Sequence, residues 1–192
     1  MPTQPEDLAP SGEYGWERLG LDGGYVGELA AGPDGWVYAA SARSLYRSHD
    51  GGANWKQRKK AFHSPDITSL IETPSGSLLA GTEAKPESVE EFGPMGDGKY
   101  AGVYRSTDEG RSWKRVLNQR MDSVWALVTD SDGGIVAGCT DRVARSTDDG
   151  LSWVDLDLPT GPDWTTLVLS VAVDGDGTIF AGTTRGLYCG RP

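Results

Sequence analysis

Three aspartates of this chain occupy the same place in copies of one short pattern. Repeated carboxylates are candidates for acid–base catalysis or cation binding. The pattern is S-x-D-x-G-x-x-W, termed here the box, and its aspartates are Asp50, Asp108 and Asp148. The other fixed residues of the three boxes are Ser48, Gly52, Trp55, Ser106, Gly110, Trp113, Ser146, Gly150 and Trp153. A catalytic centre brings different groups to one point, whereas these acids are distributed one per repeat.

Each box residue has a structural use in a turn between two strands. An aspartate carboxylate accepts N–H bonds from its own turn, and glycine tolerates the positive φ that such turns require. A tryptophan that leaves the turn supplies a large apolar surface for burial between sheets. We therefore predict that the twelve box residues are structural and that none of them is catalytic.

The box is the end of a longer repeat. In the unit that ends at Trp153, an apolar run at 124–128 precedes a turn at 130–133, and a β-type run at 135–138 precedes the triplet 143–145. The units recur about every 40 residues, except that one carries about 18 extra residues, and four short strands in such a period are typical of a β-propeller blade.

This periodicity predicts an all-β fold, a small β-propeller of four four-stranded blades within residues 14–192. The predicted blades span about 20–58, 59–116, 117–156 and 157–192. Residues 14–19 are similar to a strand that follows a box, and the last unit lacks such a strand, so we expect the N-terminal strand to close the last blade. A fragment of a larger propeller, or a half-ring that pairs with a second copy, are the alternatives. Residues 1–13 are predicted to be a disordered leader.

Charge and composition argue against several partners. The net charge of −10 disfavours nucleic acid and anionic membrane surfaces. No signal peptide or membrane-spanning run is visible, which by default predicts a cytoplasmic protein. The two cysteines, Cys139 and Cys189, form neither a metal-site pattern nor a disulfide framework, so no metal and no cofactor is expected.

A ligand is expected on the face formed by the loops between second and third strands and by the connections between blades. Arginines in these loops could hold a carboxylate through paired hydrogen bonds. The candidates on this face are Arg43, Arg142, Arg185, His63 and Trp164. An acidic insertion at 83–101 adds Phe92 as an apolar anchor for a partner. Soluble loops without a binding role are the alternative for both.

The three boxes, together with the strand-like runs around them, resemble the Asp-box or BNR repeat propellers over nearly the whole chain, 14–188. That family includes sialidases, xyloglucanases, sortilin-type receptors and photosystem II assembly-factor-like proteins. The resemblance implies a propeller fold but not one function. The Arg-Ile-Pro stretch of sialidases is missing, and the chain is shorter than the two-propeller xyloglucanases, so no catalytic residue is transferred.

Two hypotheses follow. The first is a non-catalytic propeller that serves as a binding or assembly module for a protein or glycan ligand. The alternative is a glycoside hydrolase of sialidase-like or xyloglucanase-like type, which needs two carboxylates roughly 5–9.5 Å apart. The sequence leans away from an enzyme because none of its 28 acidic residues is singled out as such a pair.

Overall fold

The computed structural model describes residues 17–21, 25–41, 44–58, 66–83, 101–117, 123–159 and 166–191. These residues form strands and no helix, and so include none that is long and apolar enough to cross a membrane. The strands are β1 Glu28–Ala31, β2 Val37–Ser41, β3 Ser44–Ser48, β4 Lys56–Arg58, β5 Asp66–Glu72, β6 Leu78–Glu83, β7 Gly102–Ser106, β8 Lys114–Leu117, β9 Val124–Thr129, β10 Ile135–Cys139, β11 Arg142–Ser146, β12 Val154–Asp157, β13 Val168–Val173, β14 Ile179–Thr183 and β15 Gly186–Gly190.

Consecutive strands pair antiparallel and build four sheets in chain order. The first sheet is β1–β4, the second is β5–β8, the third is β9–β12, and the last is β13–β15. Tight hairpins join the first two strands of each sheet. In the second sheet, the Gly76 N–H donates to the Thr73 carbonyl at 2.9 Å, and Gly76 has a φ of 80° that suits glycine. Short connections of this kind bring consecutive strands together as neighbours in one sheet.

The apolar core is divided into three seams, one between each pair of successive sheets. Central strands such as β10 are buried on both faces, which explains their run of Val, Ile and Ala. The first seam is built around Leu45, Ile67 and Leu70, and the second around Leu79, Val103 and Val124. The third contains Val136, Val143, Val168, Ile179 and Ala181. Each sheet therefore has a back face, turned to the preceding sheet, and a forward face, turned to the next.

The boxes connect the third and fourth strands of the first three sheets. The turn at Glu109 in the second box contacts Arg58 of the first sheet, and Asp149 in the third box contacts the hairpin at Thr73. Boxes and first hairpins thus share one surface, the box face. The loops between second and third strands lie at the opposite ends of the strands and form the loop face.

The all-β architecture of repeated antiparallel sheets is confirmed, but closure of the last unit by the N-terminal strand is not. The last sheet has three strands among the described residues. Residues 17–21 form no strand there, and Leu19 instead accepts a hydrogen bond from the Trp55 indole N–H of the first sheet at 3.0 Å. Residues 14–16, the leader 1–13 and most of the acidic insertion lie outside the described residues, and the blade boundaries remain predictions.

Candidate functional site

The box aspartates are fully engaged by their own turns. In the third box, the Ser146 hydroxyl and the Ser152 N–H donate to Asp148 Oδ1, each at 2.8 Å, and the Ser152 hydroxyl donates to Oδ2 at 2.6 Å. The Ser146 oxygen in turn accepts the buried N–H of Gly150 at 2.9 Å. Asp108 has the same set of bonds, and in the first box an asparagine, Asn54, replaces the second serine.

These hydrogen bonds favour the ionised carboxylate. The donor hydroxyls of Ser152 and Ser112 lower the pKa of Asp148 and Asp108 to about 2, and Ser48 with Asn54 does so for Asp50. A carboxylate with so low a pKa is a poor general acid or base near neutral pH, where such catalysis needs a pKa close to the working pH. The hydrogen bonds of each box aspartate therefore stabilise the conformation of its own turn.

The box tryptophans hold the seams. The indole N–H of Trp113 donates to the Gly110 carbonyl at 3.2 Å, and that of Trp153 donates to the Gly150 carbonyl at 3.1 Å. Both rings pack against the apolar cluster shared with the preceding sheet. Trp55 has no preceding sheet in the described chain, and its indole N–H binds the carbonyl of Leu19 instead.

Sequence reasoning missed the acid at the fourth box position. Glu109 forms an ion pair with Arg47, and Asp149 forms one with Arg105, in each case with the preceding sheet. The Thr73 and Ser77 hydroxyls also donate to Asp149 at 2.7 and 2.8 Å. Burial raises the pKa of Asp149, but the bonds from Arg105, Thr73 and Ser77 outweigh it and lower that pKa to about 2.

The sequence does carry a signal for these pairs. An arginine precedes the serine of every box, and an acid follows the aspartate of the second and third boxes, whereas the first box has Gly51 there. The arginines pair with the following sheet where a box acid is present. Arg145, which faces the last sheet, binds Asp130 of its own sheet at 2.8 Å.

The predicted loop-face residues are only partly within the described chain. Arg142 lies in β11, where its guanidinium forms an ion pair with Asp155 on β12 and only 13% of its side chain is exposed. Arg185 lies in the exposed turn between β14 and β15, where its N–H donates to the Thr183 hydroxyl at 3.0 Å. Arg43, His63, Trp164 and Phe92 lie outside the described residues.

The structure joins the Arg185 turn to the loop that precedes Arg142. The Asp141 N–H donates to the Thr166 carbonyl at 2.6 Å, and the Thr166 N–H donates to Asp141 Oδ1 at 2.7 Å. The next residue, Leu167, exchanges two bonds with Thr184: its N–H donates to the hydroxyl at 3.1 Å, and the Thr184 N–H donates to its carbonyl at 3.0 Å. We name this part of the loop face, formed by Asp141, Thr166, Leu167, Thr184 and Arg185, the loop corner.

The loop corner holds polar atoms without a described partner. Asp141 has a φ of 60°, a left-handed conformation that is uncommon outside glycine. Its Oδ2 and the Oγ1 of the fully buried Thr166 accept or donate no hydrogen bond among the described residues. Such groups cost about 1–3 kcal/mol each when they are buried unpaired.

A cavity of about 360 Å³ lies between the third and last sheets. Leu156 and Leu158 line it on one side, and Ile179, Ala181 and Tyr188 line it on the other. In the two other seams a box tryptophan packs between successive sheets, and the last sheet has three strands among the described residues. No cluster of His, Cys, Asp and Glu among the described residues is arranged to hold a metal ion.

Comparison with known proteins defines the fold. No family model matches the chain, and no curated protein matches it either. Among solved structures, the chain is similar to the extracellular domain of BT4673 from B. thetaiotaomicron, described as a one component system, with 16% identity, a TM-score of 0.65, and coverage of 95% of this chain and 22% of that one. YCF48 bound to D1 peptide has 16% identity and a TM-score of 0.62, with 86% and 50% covered. The Niastella koreensis GH74 enzyme has 18% identity and a TM-score of 0.57, with 84% and 26% covered.

These similarities, at low sequence identity, show the fold alone: the chain has a β-propeller fold. It spans between about a fifth and a half of the lengths of these three proteins. Proteins of this fold include binding and hydrolase domains, and fold does not choose between them.

Proposed function

We propose that this chain is a non-catalytic Asp-box repeat propeller that acts as a binding or assembly module for a protein or glycan ligand, and that the loop corner is its contact site. The three boxes, with their matching hydrogen bonds, support the Asp-box assignment.

The observation that carries the proposal is the loop corner itself, where hydrogen bonds join the loop before Arg142 to the exposed turn of Arg185. Arg185 at the exposed rim adds a guanidinium that suits a carboxylate of the ligand.

The state of the box carboxylates supports a role without catalysis. Their lowered pKa values and the hydrogen bonds to both of their oxygens support a structural role for them. At Asp149 the carboxylate is likewise occupied, here by Arg105. The box aspartates and Asp149 therefore have structural partners, which supports a structural role for the acids that recur in the repeat.

The test compares the wild-type chain with an Arg43→Ala/Arg185→Ala variant and with Asp141→Asn, on a glycan array and in pull-downs with identification of the captured proteins. Asparagine keeps the left-handed conformation but replaces the carboxylate. A Lys56→Ala/Lys114→Ala control removes the same charge from exposed positions of outer strands. We expect a ligand that is retained by the control and lost, by tenfold or more, from both loop-face variants.

Two outcomes would overturn the proposal. Equal capture by all variants would exclude the loop corner as the contact site. Hydrolysis of nitrophenyl glycosides by the purified wild-type chain, abolished by one acid-to-amide substitution, would establish the hydrolase alternative.

A further inference from the structure

The forward face of the last sheet is exposed, whereas the forward faces of the first three sheets are buried against the next sheet. The third strands of the first three sheets each place one apolar residue opposite a small residue of the second strand. Those residues are Leu45, Val103 and Val143, and all three are buried. The equivalent residue of the last sheet is Leu187, which pairs with Gly182 and is 74% exposed.

The back face of the first sheet is open in the same way. In the second sheet, Leu70 pairs with Ala80 and is buried in the first seam. The equivalent residue of the first sheet is Leu29, which pairs with Ala39 and is 63% exposed. Neighbouring Val26 and Tyr25 are exposed as well.

The two open faces belong to opposite ends of the chain and do not cover each other. None of the strand pairs in extensive contact joins the first sheet to the last, among the residues that the structure describes. At every internal seam the equivalents of Leu29 and Leu187 share one apolar cluster, as Leu70 and Leu45 do in the first.

The forward face of the last sheet lacks the arginine found at the first two seams, and the back face of the first sheet lacks the acid that pairs with it. The first and second seams pair an arginine of one sheet with the fourth box residue of the next, as Arg105 does with Asp149. The last sheet has Cys189 at the arginine position, opposite Phe180. The first sheet has Gly51 at the acid position. An arginine or a carboxylate that is buried at an interface without its partner is a large cost. Contact between these two faces avoids that cost at these two positions.

We propose that the forward face of the last sheet binds the back face of the first sheet of a second copy, so that two copies form a closed ring of eight sheets. A two-fold axis makes this contact twice and leaves neither face open. In the first seam, Leu45 of the preceding sheet lies against Gly110, the equivalent of Gly52. Leu19 lies against Gly52 in the single chain, so the segment Glu17–Leu21 gives up this place to Leu187 of the second copy when the ring closes.

The first test measures the mass of the full chain by sedimentation and light scattering over a range of concentrations. We expect a dimer of twice the chain mass of 20.5 kDa. Leu187→Asp and Leu29→Lys should each weaken dimerisation by tenfold or more, since both place a charge in the contact. Leu151→Asp, at a residue 57% exposed in the third box and away from both faces, should leave the dimer intact.

Mixing the two variants tests which faces meet. A mixture of Leu187→Asp and Leu29→Lys chains contains one unmodified contact and one contact between aspartate and lysine, so it should dimerise when neither variant does alone.

Each remaining result counts against the proposal. A wild-type monomer at all concentrations would overturn it, in favour of closure within one chain or of additional sheets from a longer protein. Oligomers larger than a dimer would overturn the closed ring. Failure of the two variants to dimerise when mixed would show that the faces do not meet.

Discussion

Arg105 of the second sheet and Asp149 of the third box form an ion pair that crosses the seam between their sheets. The guanidinium also donates to the Ser77 hydroxyl at 2.8 Å and to the Asp149 carbonyl at 2.8 Å. Both side chains are largely buried, so the pair acts where solvent screening is weak.

Asp149→Asn should destabilise the fold because it leaves the Arg105 guanidinium without its counter-charge. Asparagine preserves the left-handed backbone of this position, so the effect reports the charge. We expect the free energy of unfolding to fall by about 2–3 kcal/mol in urea titrations. Asp132→Asn, at an exposed hairpin residue, is the control and should change it by less than about 0.5 kcal/mol.

The same carboxylate makes stability depend on pH in the acid range. Its pKa is about 2 in the folded protein, below the ordinary value of 3.8, so its contribution is present above pH of about 4 and is lost as the pH falls through 2. Stability measured between pH 4 and 2 should therefore fall less steeply for Asp149→Asn than for the wild type. Parallel curves would show that Asp149 does not contribute to the acid transition.

Glu72 should have the opposite pH dependence. Burial, and then the charge of Asp34, raise the pKa of Glu72 to about 7, and its Oε2 has no hydrogen-bond partner among the residues that the structure describes. A raised pKa stabilises the fold fully below pH of about 4.5, and this stabilisation is lost as the pH rises through 7. Glu72→Gln should be more stable than the wild type at pH 8 by about 1–2 kcal/mol, after allowance for solvent screening, and equal to it near pH 4. Glu17→Gln, at an exposed carboxyl, is the matched control, and thermal or urea denaturation measures the stability of both variants.

The two serines of the third box should differ in their contribution to stability. Ser146 is buried and its oxygen accepts the N–H of buried Gly150, so Ser146→Ala leaves that N–H unpaired and should cost about 1–2 kcal/mol. Ser152 is exposed, and water can replace its hydroxyl on Asp148, so Ser152→Ala should cost less than about 1 kcal/mol. Equal losses in urea denaturation would contradict this order.

The thiols should report the open face of the last sheet. Cys139 is buried in the second seam and Cys189 is exposed in β15. In the Leu187→Asp variant, Cys189 should react rapidly with a colorimetric reagent, and Cys139 should react only in denaturant. In the wild type, Cys189 should react more slowly if the ring of two copies protects it. An identical rate in both proteins would argue against that protection.

The repeated sheets were predictable because their signals are local. Each strand and turn is specified by neighbouring residues, and the Ser, Asp and Gly of a box bond only to residues within four positions. The bond from Trp153 to Gly150 is equally local. For the same reason, the sequence predicted the turn-forming use of the box aspartates.

Relations between sheets were not predictable in this way. The pair of Glu109 and Arg47 depends on how two sheets align, which no local pattern specifies. The ion pair of Arg142 with Asp155, by contrast, lies within the third sheet, and contact of Arg142 with a ligand remains a prediction. The hydrogen bond that Asp141 Oδ1 accepts likewise depends on Thr166, which is distant in the sequence.

The residue at the fourth box position depends on whether another sheet precedes its own sheet in the chain. Glu109 and Asp149 each require an arginine before them, while Gly51 requires none. A circularly permuted chain that began at the second unit would therefore expose the acid of Glu109 at its new end. Duplicating the first unit behind the second would leave Arg105 opposite a glycine, so the repeats are not interchangeable modules even though they share one backbone design.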